Sequence, residues 1–365
     1  MSAVGWRHAA SWFPGHMARA SRQIREQLPN IDLVLEVRDA RVPFTSAPAH
    51  LDEILRRTGR LDRRFTVLNK ADLVGDVELR AAASALGAGT FVTQTRMLDG
   101  ARGAGIRDML TAALSYLQLC APRLFARAPV SGAPADAPGR PGDGRGLPLL
   151  MMAVGVPNTG KSSLINALRH VCRRDGHGDP RRKRRSARPA KTGTRPGVTR
   201  QQGGFQVSWA PHVWLLDTPG VLPPKLDGDW LAALRLGASD ILPAEHCGLD
   251  ALASFILHHL AATRALGDGA LAGYSRLRAA AAARLAGTSA AALSGAPLHA
   301  GATDEQIAAA EALGLALLEA LADDIGGGEG QSSLNGASER VLRLMREGQL
   351  GEIFWDADRL PEQGA

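Results

Sequence analysis

The stretch that most constrains this chain is Gly155-Val-Pro-Asn-Thr-Gly-Lys-Ser-Ser163. An apolar run, Leu147 to Val154, leads into it, and Leu164-Ile-Asn-Ala-Leu168, which reads as a helix, leads out. A Gly-x-x-x-x-Gly-Lys-Ser spacing between a buried strand and a helix is the setting of a phosphate-binding loop. Glycine lets the backbone pass close to phosphate oxygens, and successive N–H groups at the helix N-terminus then face the anion. On this reading Asn158, Thr159, Gly160 and Ser163 border the phosphates. Lys161 reaches the β- and γ-phosphates, and the Ser162 hydroxyl holds Mg²⁺. Such a loop commits the chain to an α/β fold with ligands at the strand ends.

A second strand end narrows the ligand. Phe65-Thr-Val-Leu68 reads as a strand and runs directly into Asn69-Lys70-Ala71-Asp72. A carboxylate at Asp72 accepts from the guanine ring N–H and exocyclic amine together, a donor pair that adenine lacks. The Lys70 stem can lie along the base, and Asn69 can tie this loop to the phosphate loop. Asp72 therefore argues against an ATP-using phosphoryl-transfer enzyme.

Beyond the phosphate loop, Phe205–Trp209 and Val213–Leu216 read as paired strands, the second ending in Asp217-Thr-Pro-Gly220. Asp217 would hold Mg²⁺ through water, the Gly220 N–H would meet the γ-phosphate, and Thr199 would supply the other Mg²⁺ oxygen. The motif order is unusual, because Asn69–Asp72 precedes Gly155–Ser162, and Thr199 and Asp217–Gly220 follow. The expected fold is an α/β P-loop GTPase domain with circularly permuted motif order over residues 1–240. A smaller α-helical domain, 241–365, follows it. Residues 121–146, rich in Pro, Gly, Ala and Arg, read as a flexible linker joining what are normally the chain ends. Residues 173–191, with Arg181-Arg-Lys-Arg-Arg185, read as a basic insert for RNA contact rather than nuclear import. The helical domain leaves directly from the Asp217–Gly220 segment, so γ-phosphate sensing is expected to reach it mechanically.

Other elements follow from periodicity. Strands are expected at Ile31–Val37 and at Thr90–Thr95 with its loop. Helices are expected at Ala18–Leu28, Leu51–Arg57, Val77–Leu86 and Gly105–Leu119. Further helices are expected at Leu249–Ala265, Leu271–Leu285, Asp304–Leu321 and Ala337–Glu347, with Ser332–Arg340 and Arg346–Gly351 as breaks. Asp39-Ala-Arg-Val-Pro43 reads as a loop at a strand end. His16 sits in a Pro-Gly turn.

The 365 residues carry a net charge of +7, which favours a polyanionic partner such as RNA. Cys120, Cys172 and Cys247 are isolated, which points to neither zinc nor a disulfide framework. No apolar run approaches the roughly 18 residues that span a bilayer. The expectation is a monomer without a transmembrane segment, associated at most peripherally with an organellar inner membrane. The first 25 residues hold no acidic residue and several Arg, Ser and Ala, as organellar transit peptides do.

Taken together, these motifs resemble the circularly permuted GTPases of the YlqF/RbgA group, and among them the mitochondrial ribosome-associated members. The matching residues are Trp12–Met17, Asp39–Pro43, Leu68–Leu73, Gly155–Ser163, Pro196–Thr199 and Leu215–Leu222, with Arg346-x-Gly-x-Leu-Gly351 near the end. The resemblance implies hydrolysis of GTP to GDP coupled to maturation of the large ribosomal subunit, with rRNA contact by the C-terminal domain. It implies a mitochondrial, matrix-side location, with the plastid as the alternative. Val221 stands where many GTPases carry a water-orienting glutamine, so hydrolysis is expected to be slow until a ribosomal particle stimulates it. His16 becomes a candidate for orienting that water. Asn158 matches the position where related GTPases bind K⁺. Thr93-Gln94 replaces the Asn-Ser or Ser-Ala that the family carries at the base. The rival reading is an RNA-binding scaffold that holds guanine nucleotide without turnover.

Overall fold

A computed structural model describes residues 22, 24–94, 104–125, 148–174, 203–209, 212–217, 226, 229–263, 266, 269–287, 298–325 and 331–361. These fall into two units. One lies within 22–72 and 76–217, the other within 73–75 and 226–361.

The first unit is built on a six-stranded sheet: β1 (Leu33–Asp39), β2 (Arg64–Asn69), β3 (Thr90–Val92), β4 (Leu149–Val154), β5 (Gly203–Trp209) and β6 (His212–Asp217). Their order in space is β3-β2-β1-β4-β6-β5. All pairings are parallel except β5 on β6, which is antiparallel. The expected α/β fold class is therefore present. β2, which ends in the Asn69–Asp72 loop, lies one strand away from β4, which feeds the phosphate loop. Their C-terminal ends share one side of the sheet although β2 comes first in the chain.

A parallel strand with both faces covered reads as a nearly continuous apolar run. β1 obeys this, since all seven of its residues are buried, and its alternate side chains enter two separate cores. On one face Leu33, Leu35 and Val37 pack with α3 (Ala104–Cys120) and α4 (Lys161–Arg174). On the other, Val34 packs with Ile24, Leu28, Ile31 and α1 (Leu51–Arg57). Helix α2 (Asp76–Leu86) packs beside β3. The charged residues of β1 are buried in pairs: Arg38 Nε donates to Glu36 at 2.7 Å and Arg38 Nη1 to the Pro43 carbonyl at 3.0 Å.

The second unit is helical: α5 (Trp230–Ala238), α6 (Leu249–Ala262), α7 (Ser275–Gly287), α8 (Asp304–Asp324) and α9 (Gln331–Arg346). Helix α6 is buried along almost its whole length and packs on α5, α8 and α9. Gly314 of α8 lies so close to α6 that a Cβ there would collide with the Ser254 carbonyl. A capping box between Thr303 and Gln306 starts α8. After α9 the chain turns back into the unit, with Ile353, Phe354, Trp355 and Asp356 all buried. Trp355 packs on Phe255 and His259, with ring centroids 5.3 and 4.3 Å apart. Arg235, buried in α5, reaches Asp358 at 2.8 Å and Asp356 at 3.5 Å. The Ile353 N–H donates to the Leu73 carbonyl at 2.9 Å, which joins residues 73–75 to this unit.

Several expectations are corrected. Ser332–Arg340 does not break a helix but forms the first half of α9. Its polar Ser338 is buried without cost to the helix, because its hydroxyl donates to Asp250 Oδ1 at 2.7 Å. Helix α7 starts at Ser275 rather than Leu271, and Gly269–Leu271 forms a separate 3₁₀ turn. Helix α5 was not expected from the sequence; Asp229 caps it by accepting from the Ala232 N–H at 2.9 Å. Arg173 and Arg174, assigned to the basic insert, belong to α4, and Pro122–Leu124, assigned to the linker, form a 3₁₀ turn. The rest of both segments lies outside the described residues, as does the Trp12–Met17 turn.

Candidate nucleotide-binding site

The phosphate loop leaves β4 at Gly155 and closes into α4 at Lys161. Close approach explains its first glycine, because a Cβ at Gly155 would run into the Val37 carbonyl oxygen of neighbouring β1. Asn158 and Gly160 take left-handed conformations, φ 57° and 94°. Asparagine is among the few side chains that tolerate this geometry. The loop is braced from within. Thr159 Oγ1 donates to the Val156 carbonyl at 3.1 Å, and Lys161 Nζ donates to the same carbonyl at 2.7 Å. The Leu164 N–H donates to the Gly160 carbonyl at 2.8 Å, fastening the first turn of α4. Lys161 is buried, so its ammonium is held inside the loop rather than waving in solvent. Ser162 and Ser163 follow in the first turn of α4.

The second loop comes to the first. Buried Asn69, at the end of β2, donates from Nδ2 to the Thr159 carbonyl at 2.7 Å. This is the tie that the sequence suggested between the two loops. Lys70 follows in a left-handed conformation, φ 62°. Asp72 closes the loop, and its Oδ1 is buried without a hydrogen-bond partner among the described residues. The loop after β3 lies alongside, with the Ala71 N–H donating to the Thr93 carbonyl at 3.4 Å and the Thr93 N–H to the Leu68 carbonyl at 2.8 Å. Thr93 Oγ1 is likewise buried without a partner among the described residues, and Gln94 beside it is exposed. An orphaned buried acceptor costs about 1–3 kcal/mol unless something satisfies it. Asp72 Oδ1 therefore suits a ligand that presents N–H groups, as a guanine edge does.

The sequence reading missed the charge cluster behind this loop. Asp39, the last residue of β1, stands in register with Asn69 and is fully buried. Its Oδ1 accepts from the Arg41 N–H at 3.1 Å and from Arg41 Nε at 3.0 Å, and its Oδ2 accepts from Arg41 Nη2 at 2.8 Å. Lys70 Nζ lies 2.8 Å from the same Oδ2. Burial works to raise the Asp39 pKa, but the Arg41 and Lys70 charges outweigh it, and the carboxyl is held well below the usual carboxylate range. The available signal was an acidic residue ending an apolar strand, two positions before an arginine.

Of the remaining expected site residues, Asp217 ends β6 beside Ala153 of β4, and its backbone alone is described. His16, Thr199 and Gly220 lie outside the described residues. Among the described residues there is no cluster of three or more His, Cys, Asp or Glu able to hold a metal by themselves.

Comparison with known proteins gives this geometry a family. The family described as 50S ribosome-binding GTPase matches residues 150–246, from β4 into the helical unit. Ribosome biogenesis GTPase A of Bacillus cereus is 33% identical over 252 residues, covering 68% of this chain and 71% of that protein. Mitochondrial ribosome-associated GTPase 1 of Mus musculus is 30% identical, covering 69% and 67%. Short integuments 2, mitochondrial, of Arabidopsis thaliana is 34% identical over 68% of this chain but only 55% of its own length. With the bacterial protein matched at this identity over more than two thirds of its length, on a sheet that carries both nucleotide loops, the chain belongs to the ribosome biogenesis GTPase A family.

Proposed function

We propose that this protein binds GTP, hydrolyses it to GDP, and acts in assembly of the large subunit of the mitochondrial ribosome. The observation that carries this reading is the Asn69–Thr159 bond, which fastens a guanine-reading loop to a phosphate loop in one site. Asp72, with its orphaned Oδ1, reads the guanine edge, and Thr93 and Gln94 border the base. Asn158, Thr159, Gly160, Lys161, Ser162 and Ser163 surround the phosphates, and Lys161 offsets charge on the β- and γ-oxygens. Ser162, Thr199 and Asp217 are the residues suited to holding Mg²⁺, which when bound neutralises charge on the same oxygens. The Gly220 N–H senses the γ-phosphate. Asn158 is placed in the loop where it suits a K⁺ beside the phosphates.

Val221 offers no polar group to orient water, so the intrinsic rate is low and His16 supplies the orienting group when a ribosomal particle is bound. The helical unit and the Arg181–Arg185 run contact rRNA, in keeping with the net charge of +7. The names of the mouse and plant relatives, with an N-terminal segment free of acidic residues, support a mitochondrial, matrix-side location. No described helix is long and apolar enough to cross a membrane. The protein works as a monomer, with peripheral contact to the inner membrane at most.

The test is GTP turnover by the full chain, alone and with large ribosomal subunits, in KCl and in NaCl. Stimulation by the subunit is expected, as is higher activity in KCl. Tight guanine-nucleotide binding with no turnover in any arm would instead identify a scaffold.

A further inference from the structure

A buried carboxylate shared by two cations, directly behind the base-reading loop, needs a reason. Asp39 has no access to solvent, and Arg41 alone neutralises it through a bidentate pairing, the strongest arrangement open to a carboxylate. Yet Oδ2 also holds Lys70 Nζ at 2.8 Å, and the Lys70 side chain is about a quarter exposed, so it had water as an alternative. Lys70 stands at φ 62°, a backbone state that a lysine does not choose for itself. The cluster is rigid on its other side too. The Asp39 N–H donates to Ser46 Oγ at 3.2 Å, Ser46 Oγ donates to the Val42 carbonyl at 2.6 Å, and the Ala40 N–H donates to the Asn69 carbonyl at 2.8 Å. The four-residue loop is thus fixed at Asn69 by the phosphate loop and at Lys70 by Asp39. Asp72, two residues on, presents a buried oxygen that has no hydrogen-bond partner among the described residues.

We propose that Asp39 and Arg41 are positioning residues for base selection: Arg41 keeps the buried Asp39 charged, Asp39 anchors Lys70, and the anchored loop holds Asp72 where it discriminates guanine from bases lacking the exocyclic amine. The proposal rests on the reading of Asn69–Asp72 as the guanine loop. A site that discriminates through a buried hydrogen-bonding group loses selectivity when that group is free to move. Asp39 should then act on the ratio of affinities between bases, not on phosphate binding alone.

The experiment measures dissociation constants of the full-length protein for GDP, IDP and XDP. IDP differs from GDP only in lacking the exocyclic amine. Asp39→Asn is expected to lower the GDP-over-IDP preference at least fivefold. Lys70→Met should lower it by a similar factor, and the double variant should lower it no further, since the two act through one contact. Arg41→Lys keeps the charge but cannot bridge both oxygens, and should lower the preference in the same direction. A loss confined to folding would reduce the active fraction and leave the ratio unchanged. An unchanged ratio in Asp39→Asn, or additive effects in the double variant, would overturn the proposal. Should Asp39→Asn fail to fold, Arg41→Lys decides: a lowered ratio supports the proposal, and an unchanged one overturns it. Asp72→Asn separates the two levels. If it gains XDP binding while Asp39→Asn keeps the wild-type ratio, the guanine reading stands and the proposal falls. If it gains none, the guanine reading falls and the proposal falls with it.

Discussion

Asn69 shows how much one side chain can carry here. Its amide is buried, and the bond to the Thr159 carbonyl joins segments ninety positions apart in sequence. Removing it leaves a buried carbonyl without its donor, at a cost of about 1–3 kcal/mol. Asn69→Ala should therefore weaken GDP binding by about tenfold or more, while ribose-free phosphate ligands are affected less; isothermal titration with GDP and pyrophosphate checks this. The two loops and the tie between them were readable at this scale. The spacings Gly155–Ser162 and Asn69–Asp72 are local, and each residue type has a chemical reason to be where it is. Asp39 and Arg41 were not readable as partners of Lys70. That pairing depends on the register that sets Asp39 opposite Asn69, and strand periodicity does not specify register between strands.

The helices and strands divide along similar lines. Helix α1 matches its expected ends, and β1, β2, β4 and β6 fall within two residues of theirs, because apolar runs with clear stops define them. Helix α5 was passed over because its cap, Asp229, follows a stretch of sequence rich in Pro and Gly that hid a short apolar run. The first half of α9 was hidden by its polar residues, of which Ser338 is buried because its hydroxyl finds Asp250 of another helix. Helix α6 carries its own titration. Burial holds the His258 pKa down at about 4; burial, with help from His258 and Arg235, holds that of His259 at about 3. Asp356 and Asp358 face Arg235 in the same cluster. An unfolded chain takes up these protons near pH 6.5, so the stability that neutral imidazoles provide is complete above that value. It is lost as pH falls toward about 4. At pH 5 the loss is on the order of 2 kcal/mol per imidazole. Thermal melts from pH 7.5 to pH 5 should show it, and His259→Phe, which keeps a ring against Trp355, should flatten the slope. An unchanged slope in that variant would mean that other groups set the acid sensitivity.

For the molecule as a whole, nucleotide binding is also a statement about stability. GDP at a hundred times its dissociation constant adds about 2.7 kcal/mol to the folded state if it binds there alone. Differential scanning fluorimetry should show a rise of several degrees with GDP, and in Asp72→Asn the rise should transfer to XDP. The order of the strands matters in time as well as in space. During synthesis the chain delivers β1, β2 and β3 first, and β1 is left as an open edge. Its partner on that side, β4, is encoded about a hundred residues later, which at ordinary elongation rates is a delay on the order of ten seconds. For that interval the strand destined for the middle of the sheet presents unpaired backbone groups beside an apolar face, the situation that invites wrong pairing between nascent chains. A family built to serve ribosome assembly is thus itself a demanding product of the ribosome, and chaperone supply during translation should limit its yield more than the stability of the finished fold does.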